Sequence, residues 1–146
     1  MKKRPHEPND FAGQLRARDR KFTGPRRLIL EALQREEHPR TIREIHESVG
    51  AGRCDLATIY RSMHMLELVG LVKRFDFGDG SARFELMRHE ASEHHHHLVC
   101  TGCSKVVEIE DCFPAELERR IADGNGFSDI SHRLEFFGTC PQCQAA

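Results

Sequence analysis

Two cysteine pairs of identical spacing, Cys100-x-x-Cys103 and Cys140-x-x-Cys143, constrain this chain more than any other feature. Each pair reads as a tight turn, and four thiolates so arranged close a tetrahedron around Zn(II) at about 2.3 Å per bond. A redox dithiol or a rubredoxin-like iron site uses similar pairs. Two such pairs within one small unit favour zinc. Four protein ligands leave no open position, so the expected centre is structural and ties the chain's end back to the start of a C-terminal unit. Some sixty residues make a thin core, and units of that size need a metal or a partner chain. Cys54 and Cys112 have no such pairing and read as buried or inert thiols.

The formal net charge of −1 over 146 residues hides an asymmetry. Residues 1–86 carry 17 Lys and Arg against 13 Asp and Glu, a balance of +4, whereas residues 87–146 carry 5 against 10, a balance of −5. The first 27 residues alone stand at +6. Six of the ten histidines lie at or beyond residue 89, so the acidic half is also the ligand-rich half. No apolar run approaches the ~20 residues of a membrane helix, and no signal-peptide core follows Met1-Lys2-Lys3-Arg4. The expectation is a cytoplasmic protein with no membrane partner, where reducing conditions make paired cysteines metal ligands.

Residues 1–20 are polar and basic, and read as an arm or a short extra helix. Thr23-Gly24-Pro25 opens a helix with an apolar stripe of Leu28, Ile29, Ala32 and Leu33. Thr41 and Glu44 have capping-box spacing ahead of a short helix with Ile42, Ile45 and Val49 inward. Asp55 caps a longer helix reaching about Val69, with Leu56, Ile59, Met63 and Leu66 toward the core. Its opposite face carries Ala57, Tyr60, Arg61 and His64. Strand-like segments over 71–77 and 81–86, joined at Gly78-Asp79-Gly80, read as a hairpin. This order is that of a winged helix-turn-helix, and its basic face fits major-groove recognition of DNA. Residues 87–93 read as a hinge. Beyond it, 97–100, 106–109 and 130–137 read as strands and 114–122 as a helix. The predicted fold class is α+β: a winged helix-turn-helix over 1–86, then a small α/β domain over 94–146 stapled by the four cysteines.

In the run His94–His97, strand alternation sends His95 and His97 to one face and His94 and His96 to the other. Two separate metal sites, each seeded by a pair of imidazoles, are therefore possible.

In order along the chain stand Thr23-Gly24-Pro25-Arg26-Arg27, Ala57-Thr58-Ile59-Tyr60-Arg61, Arg83-Phe84-Glu85-Leu86, His94–His97 before Cys100, and Cys140-Pro141-Gln142-Cys143. Together, over about residues 15–143, they resemble the ferric uptake regulator family of metal-dependent bacterial repressors. The resemblance implies a homodimer, or a larger assembly on double-stranded operator DNA, whose C-terminal domain mediates dimerisation. It implies a regulatory metal site of His38, Glu85, His95, His97 and Glu108 that bridges the hinge and selects the DNA-competent state. It also implies an additional site of His94, His96 and His132 with a helix carboxylate, Glu116 or Glu118, of which Glu118 is carried forward. For DNA it places Lys21 toward the minor groove, Tyr60 near bases and Arg61 at groove or phosphate.

All-N/O ligation suits Fe(II), Mn(II) or Co(II), while Zn(II) binds such ligands tightly too. Zinc-sensing relatives place a cysteine in this site, and none lies between Cys54 and Cys100. Peroxide-sensing relatives carry Asp where Glu108 stands. Both departures favour an Fe(II)-sensing repressor, with peroxide, manganese and zinc sensors as alternatives. A zinc hydrolase would leave the basic half without a purpose, so no enzymatic activity is expected. A zinc-stapled protein-interaction module is separated from the repressor reading by DNA binding itself.

Overall fold

The computed structural model describes residues 10–87, 96–109 and 115–146. The expected hinge from residue 88 onward, His94, His95 and Cys112 lie outside the described residues. The chain divides into two compact units, Met1–Met87 and Arg88–Ala146.

In the first unit, helix α1 (Phe11–Ala17) starts at Asp10, whose carboxylate accepts the Gly13 N–H at 2.8 Å. Phe11 and Leu15, one helical turn apart, are buried in the core, so this segment is an extra helix rather than a loose arm. Helix α2 (Gly24–Gln34) follows Thr23, with Pro25 in the first turn, where a missing N–H costs nothing. Strand β1 (Arg40–Thr41) leads into α3 (Ile42–Val49). Thr41 Oγ1 accepts the Glu44 N–H while Glu44 accepts the Thr41 N–H at 2.7 Å, the reciprocal bond of a capping box. Arg40 reaches both Glu36 at 2.6 Å and Glu44 at 3.4 Å, clasping the end of α2 to the start of α3.

Helix α4 (Leu56–Leu68) is capped by Asp55, and its inward residues Ile59, Met63 and Leu66 pack with Leu15, Ile29, Leu30, Ile45 and Leu71 in one fully buried set. Leu56 was expected inward and is not: as the first residue of the helix it remains 39% exposed. Strands β2 (Val72–Asp76) and β3 (Ala82–Leu86) form the hairpin, and the sheet order is β1-β3-β2, all antiparallel. Gly78 and Gly80 take φ of +80° and +78° at the hairpin tip, which L side chains rarely adopt. Asp79 between them holds the buried Arg83 through two bonds of 3.0 and 2.6 Å, and the guanidinium lies 5.5 Å from the Phe77 ring centre. Hydrogen bonding from Arg83 keeps the Asp79 carboxyl below its usual range.

The second unit is a sheet of β4 (His96–Cys100), β5 (Val106–Ile109) and β6 (Glu135–Gly138), with helices α5 (Ala115–Asn125) and α6 (Pro141–Gln144). Its order is β5-β4-β6, antiparallel on one side and parallel on the other. Parallel pairing needs a long crossover, and the segment containing α5 supplies it. The third strand is shorter than the expected 130–137, because pairing with β4 begins only at Glu135 opposite His97. Among the described residues of this unit Val99, Cys100 and Val106 are the buried apolar side chains, beside the buried His96 and His97, and no side chain of α5 is buried.

Candidate metal centres and nucleic-acid interface

The sulfurs of Cys100, Cys103, Cys140 and Cys143 all lie within 4.8 Å of one another. Cys100 ends β4 and Cys103 sits on the turn beyond it. Cys140 and Cys143 start and occupy α6, which the β4–β6 pairing brings alongside. Cys103 and Cys140 Sγ are 3.7 Å apart, close to the ~3.8 Å edge of a tetrahedron with ~2.3 Å metal–sulfur bonds. A Cβ on Gly102 would stand 3.0 Å from Cys143 Sγ, tighter than most real contacts, so a side chain there would push the sulfur aside by a few tenths of an ångström.

Electrostatically the four sulfurs are unequal. Backbone N–H groups of Cys140, Cys103 and Gly102 aim at Cys100 and lower its thiol to about 6. Cys143, beside the sulfurs of Cys140, Cys103 and Cys100, is pushed up to about 12. A site that ionises one thiol readily and resists a second negative charge suits a dication, and the donor set fits tetrahedral zinc. By contrast Cys54 is buried under α4, and burial raises its thiol, which makes it inert.

The second cluster joins His96 at the start of β4, Glu118 on α5 and His132 ahead of β6. His132 Nε2 stands 3.3 Å from His96 Nε2, and His132 Nδ1 stands 2.6 Å from Glu118 Oε1. His96 is buried, while His132 and Glu118 are about a quarter exposed. Glu118 therefore meets the far nitrogen of His132 and holds the ring with its Nε2 toward His96, a carboxylate–histidine arrangement typical behind metal ligands. Spacing alone did not separate Glu116 from Glu118, and the geometry selects Glu118. His94 lies outside the described residues.

Of the residues expected at the regulatory site, His38 follows α2 and precedes β1. Its Nδ1 is buried and has no hydrogen-bond partner among the described residues. Glu85 is half-buried on β3, opposite Lys73. In the second unit His97 is 2% exposed and pairs in register with Glu108. His95 lies outside the described residues. Taken separately, the buried Nδ1 of His38 in the first unit and the His97–Glu108 strand pair in the second are donors of the kind a nitrogen- and oxygen-ligated divalent ion takes.

On the first unit, Ala57, Tyr60, Arg61 and His64 all stand on the exposed face of α4, with Tyr60 56% exposed. Arg61 is pre-positioned in a way the pattern did not show: its Nη2 donates to Thr58 Oγ1 at 3.0 Å, and that hydroxyl donates to Asp55 Oδ2 at 2.7 Å. Asp55 thus caps the helix and aims its arginine. Lys21 lines an open groove of about 910 Å³ with Ala12, Arg16, Asp19, Arg20, Phe22 and Thr23. Arg16 and Arg20 belong to the basic first 27 residues, and the fold brings them to the same groove as Lys21.

A winged helix-turn-helix with an exposed Tyr-Arg face, followed by an α/β unit built around a tetrathiolate, defines a metal-binding transcription regulator rather than an enzyme. The model of the "Ferric uptake regulator family" matches residues 17–137, and the chain belongs to that family. It is 35% identical over 139 residues to a "Ferric uptake regulation protein" of Legionella pneumophila, covering 90% of this chain and 96% of that one. It is 31% identical over 142 residues to a "Peroxide-responsive repressor PerR" of Staphylococcus aureus, covering 95% and 93%. The crystal structure of the Vibrio cholerae ferric uptake regulator superposes with a TM-score of 0.77 at 32% identity, covering 90% of this chain and all of that one. No helix among the described residues is long and apolar enough to cross a membrane.

Proposed function

We propose that this chain is an Fe(II)-responsive transcriptional repressor that binds operator DNA as a homodimer in the cytoplasm, with one structural zinc per chain. The observation that carries the reading is the buried Nδ1 of His38, which has no hydrogen-bond partner among the described residues. A buried nitrogen lone pair without a donor costs about 1–3 kcal/mol, which ligation offsets. His38 and Glu85, with His95, His97 and Glu108, would hold one divalent ion. Bound there, the ion supplies positive charge that lets carboxylates and imidazoles from both units gather at one point. This ligation favours one arrangement of the two units, and so raises the population able to place both recognition helices in successive major grooves. Tyr60 and Arg61 read the groove and its phosphates, and Lys21 reaches the minor groove.

Dimerisation is supported by the apolar side chains that the second unit leaves exposed: Leu98, Val107, Leu117, Ile121 and Phe137. In the additional site, His96 and His132 would ligate through Nε2 together with His94, while Glu118 orients His132.

Operator binding titrated anaerobically with Fe(II), Mn(II) and Zn(II), then repeated after peroxide, tests the reading. Repression-competent binding at the lowest free Fe(II), recoverable after peroxide by fresh Fe(II), is expected. Binding that is lost irreversibly after peroxide supports a second reading, a peroxide sensor, which the similarity to the Staphylococcus aureus repressor favours. DNA affinity indifferent to every metal excludes both.

A further inference from the structure

His97 has two acidic neighbours, not one. Strand register sets it opposite Glu108 on antiparallel β5 and opposite Glu135 on parallel β6. Side chains directly opposite on adjacent strands project from the same face, with Cβ atoms about 4.5–5.5 Å apart. One buried imidazole is therefore flanked by two carboxylates, and only Glu108 belongs to the ligand set that the family resemblance implies.

Glu135 is also held ready. Its side chain is 18% exposed, and Arg133 donates to its Oε1 from both Nε and Nη2 at 3.0 Å. Among the described residues both of these bonds fall on Oε1, so Arg133 leaves Oε2 of this β6 residue, in register with His97, unengaged by its own fork. The Arg133 side chain is 63% exposed, so this ion pair is weak and yields readily to a stronger cation.

We propose that Glu135 is a further, specificity-determining carboxylate of the regulatory metal site, supplying Oε2 to the ion that His97 and Glu108 hold. A second carboxylate on the sheet raises both the oxygen content and the coordination number. Hard ions that take more than four ligands, Mn(II) and Fe(II), gain from it, whereas Zn(II), content with four, gains less. Arg133 occupies Glu135 in the metal-free protein and limits the repulsion between the two carboxylates.

This inference rests on the regulatory-site reading, and the test separates the two. Full-length, zinc-loaded protein is titrated anaerobically with Mn(II), followed by electron paramagnetic resonance of the free ion, and with Zn(II) by chelator competition. Co(II) absorption reports coordination number. Glu135→Gln is expected to weaken Mn(II) binding about tenfold or more, to change Zn(II) binding less than about threefold, and to intensify the Co(II) ligand-field bands. Arg133→Ala, which frees Glu135, is expected to tighten Mn(II) binding. Equal losses for Mn(II) and Zn(II), or an unchanged Mn(II) affinity with an unchanged Co(II) spectrum, overturn the assignment of Glu135. His97→Ala is the control: if it leaves Mn(II) binding intact, the regulatory-site reading itself fails.

Discussion

His96 and His132 face each other through their Nε2 atoms at 3.3 Å, while Glu118 takes the far side of His132 at 2.6 Å. A carboxylate in that place raises the basicity of the imidazole and fixes its tautomer, and losing it costs about 10–100-fold in metal affinity at comparable sites. Glu118→Gln should therefore weaken metal binding at this cluster while keeping its stoichiometry. His132→Ala should remove one equivalent of bound metal. Isothermal titration of zinc-loaded protein distinguishes the two; loss of an equivalent in Glu118→Gln would make Glu118 a ligand instead.

The tetrathiolate should respond to acid in two stages. Cys100 titrates at about 6, below the ~8.5 of an unfolded thiol. Its ionisation therefore favours the zinc-free fold fully above the unfolded value, and that advantage disappears as pH falls through about 6. Cys143, at about 12, stays protonated throughout and must surrender a proton to zinc. Its proton alone makes zinc affinity fall about tenfold per pH unit, and Cys100 adds a second factor below about pH 6. Chelator competition should show the slope steepening there, and a constant slope across that point would contradict this account.

Cys140→Ser should release zinc and unfold the second unit, whose buried apolar side chains among the described residues are Val99, Cys100 and Val106. The first unit, with its own buried core, should still melt cooperatively. Zinc content and calorimetry of the full chain would show this; a zinc-free protein with an unaltered two-unit melting profile would argue against a structural role.

DNA contacts separate by charge and by aim. Arg61→Ala should weaken operator binding and lower the salt slope by about 1. Thr58→Val keeps the charge but cuts the Asp55–Thr58–Arg61 chain, so affinity should fall less and the salt slope should hold. Fluorescence anisotropy at several salt concentrations measures both. Identical slopes for Arg61→Ala and the parent would remove Arg61 from the phosphate interface.

His38→Ala should abolish the metal dependence of operator binding while zinc content and dimer mass stay unchanged. His38→Ala removes the buried nitrogen but also the ring's packing, so the two effects on metal-free thermal stability oppose each other and the metal dependence of operator binding is the readout. A variant that still responds to Fe(II) would sink the role assigned to His38.

Much of this architecture was legible because its signals are local. The capping box of Thr41 and Glu44, the Asp55 cap and the glycines around Asp79 need only neighbours in sequence, and the two cysteine pairs announce their chemistry by spacing. What stayed open or escaped depended on distant partners. Residues 1–20 read equally as an arm or an extra helix, because only Phe11 and Leu15 mark α1 amid charges, and those matter only once the rest of the unit supplies a core. The third strand was drawn too long because its limits are set by register with β4 rather than by Ile130–Arg133 themselves. Glu135 was invisible as a ligand for the same reason: nothing in its local sequence says that it lies opposite His97.

Strand β4 holds His96, His97 and Cys100 within five residues, one group for the tetrathiolate and one for each of the two proposed metal sites. Alternation puts His96 and His97 on opposite faces, and a slip of one residue would exchange them. A single insertion or deletion in this strand would thus scramble several sites at once. A substitution at a flanking position such as Glu135 would alter one proposed site, whereas a shift in the reading frame of the strand would move His96, His97 and Cys100 together.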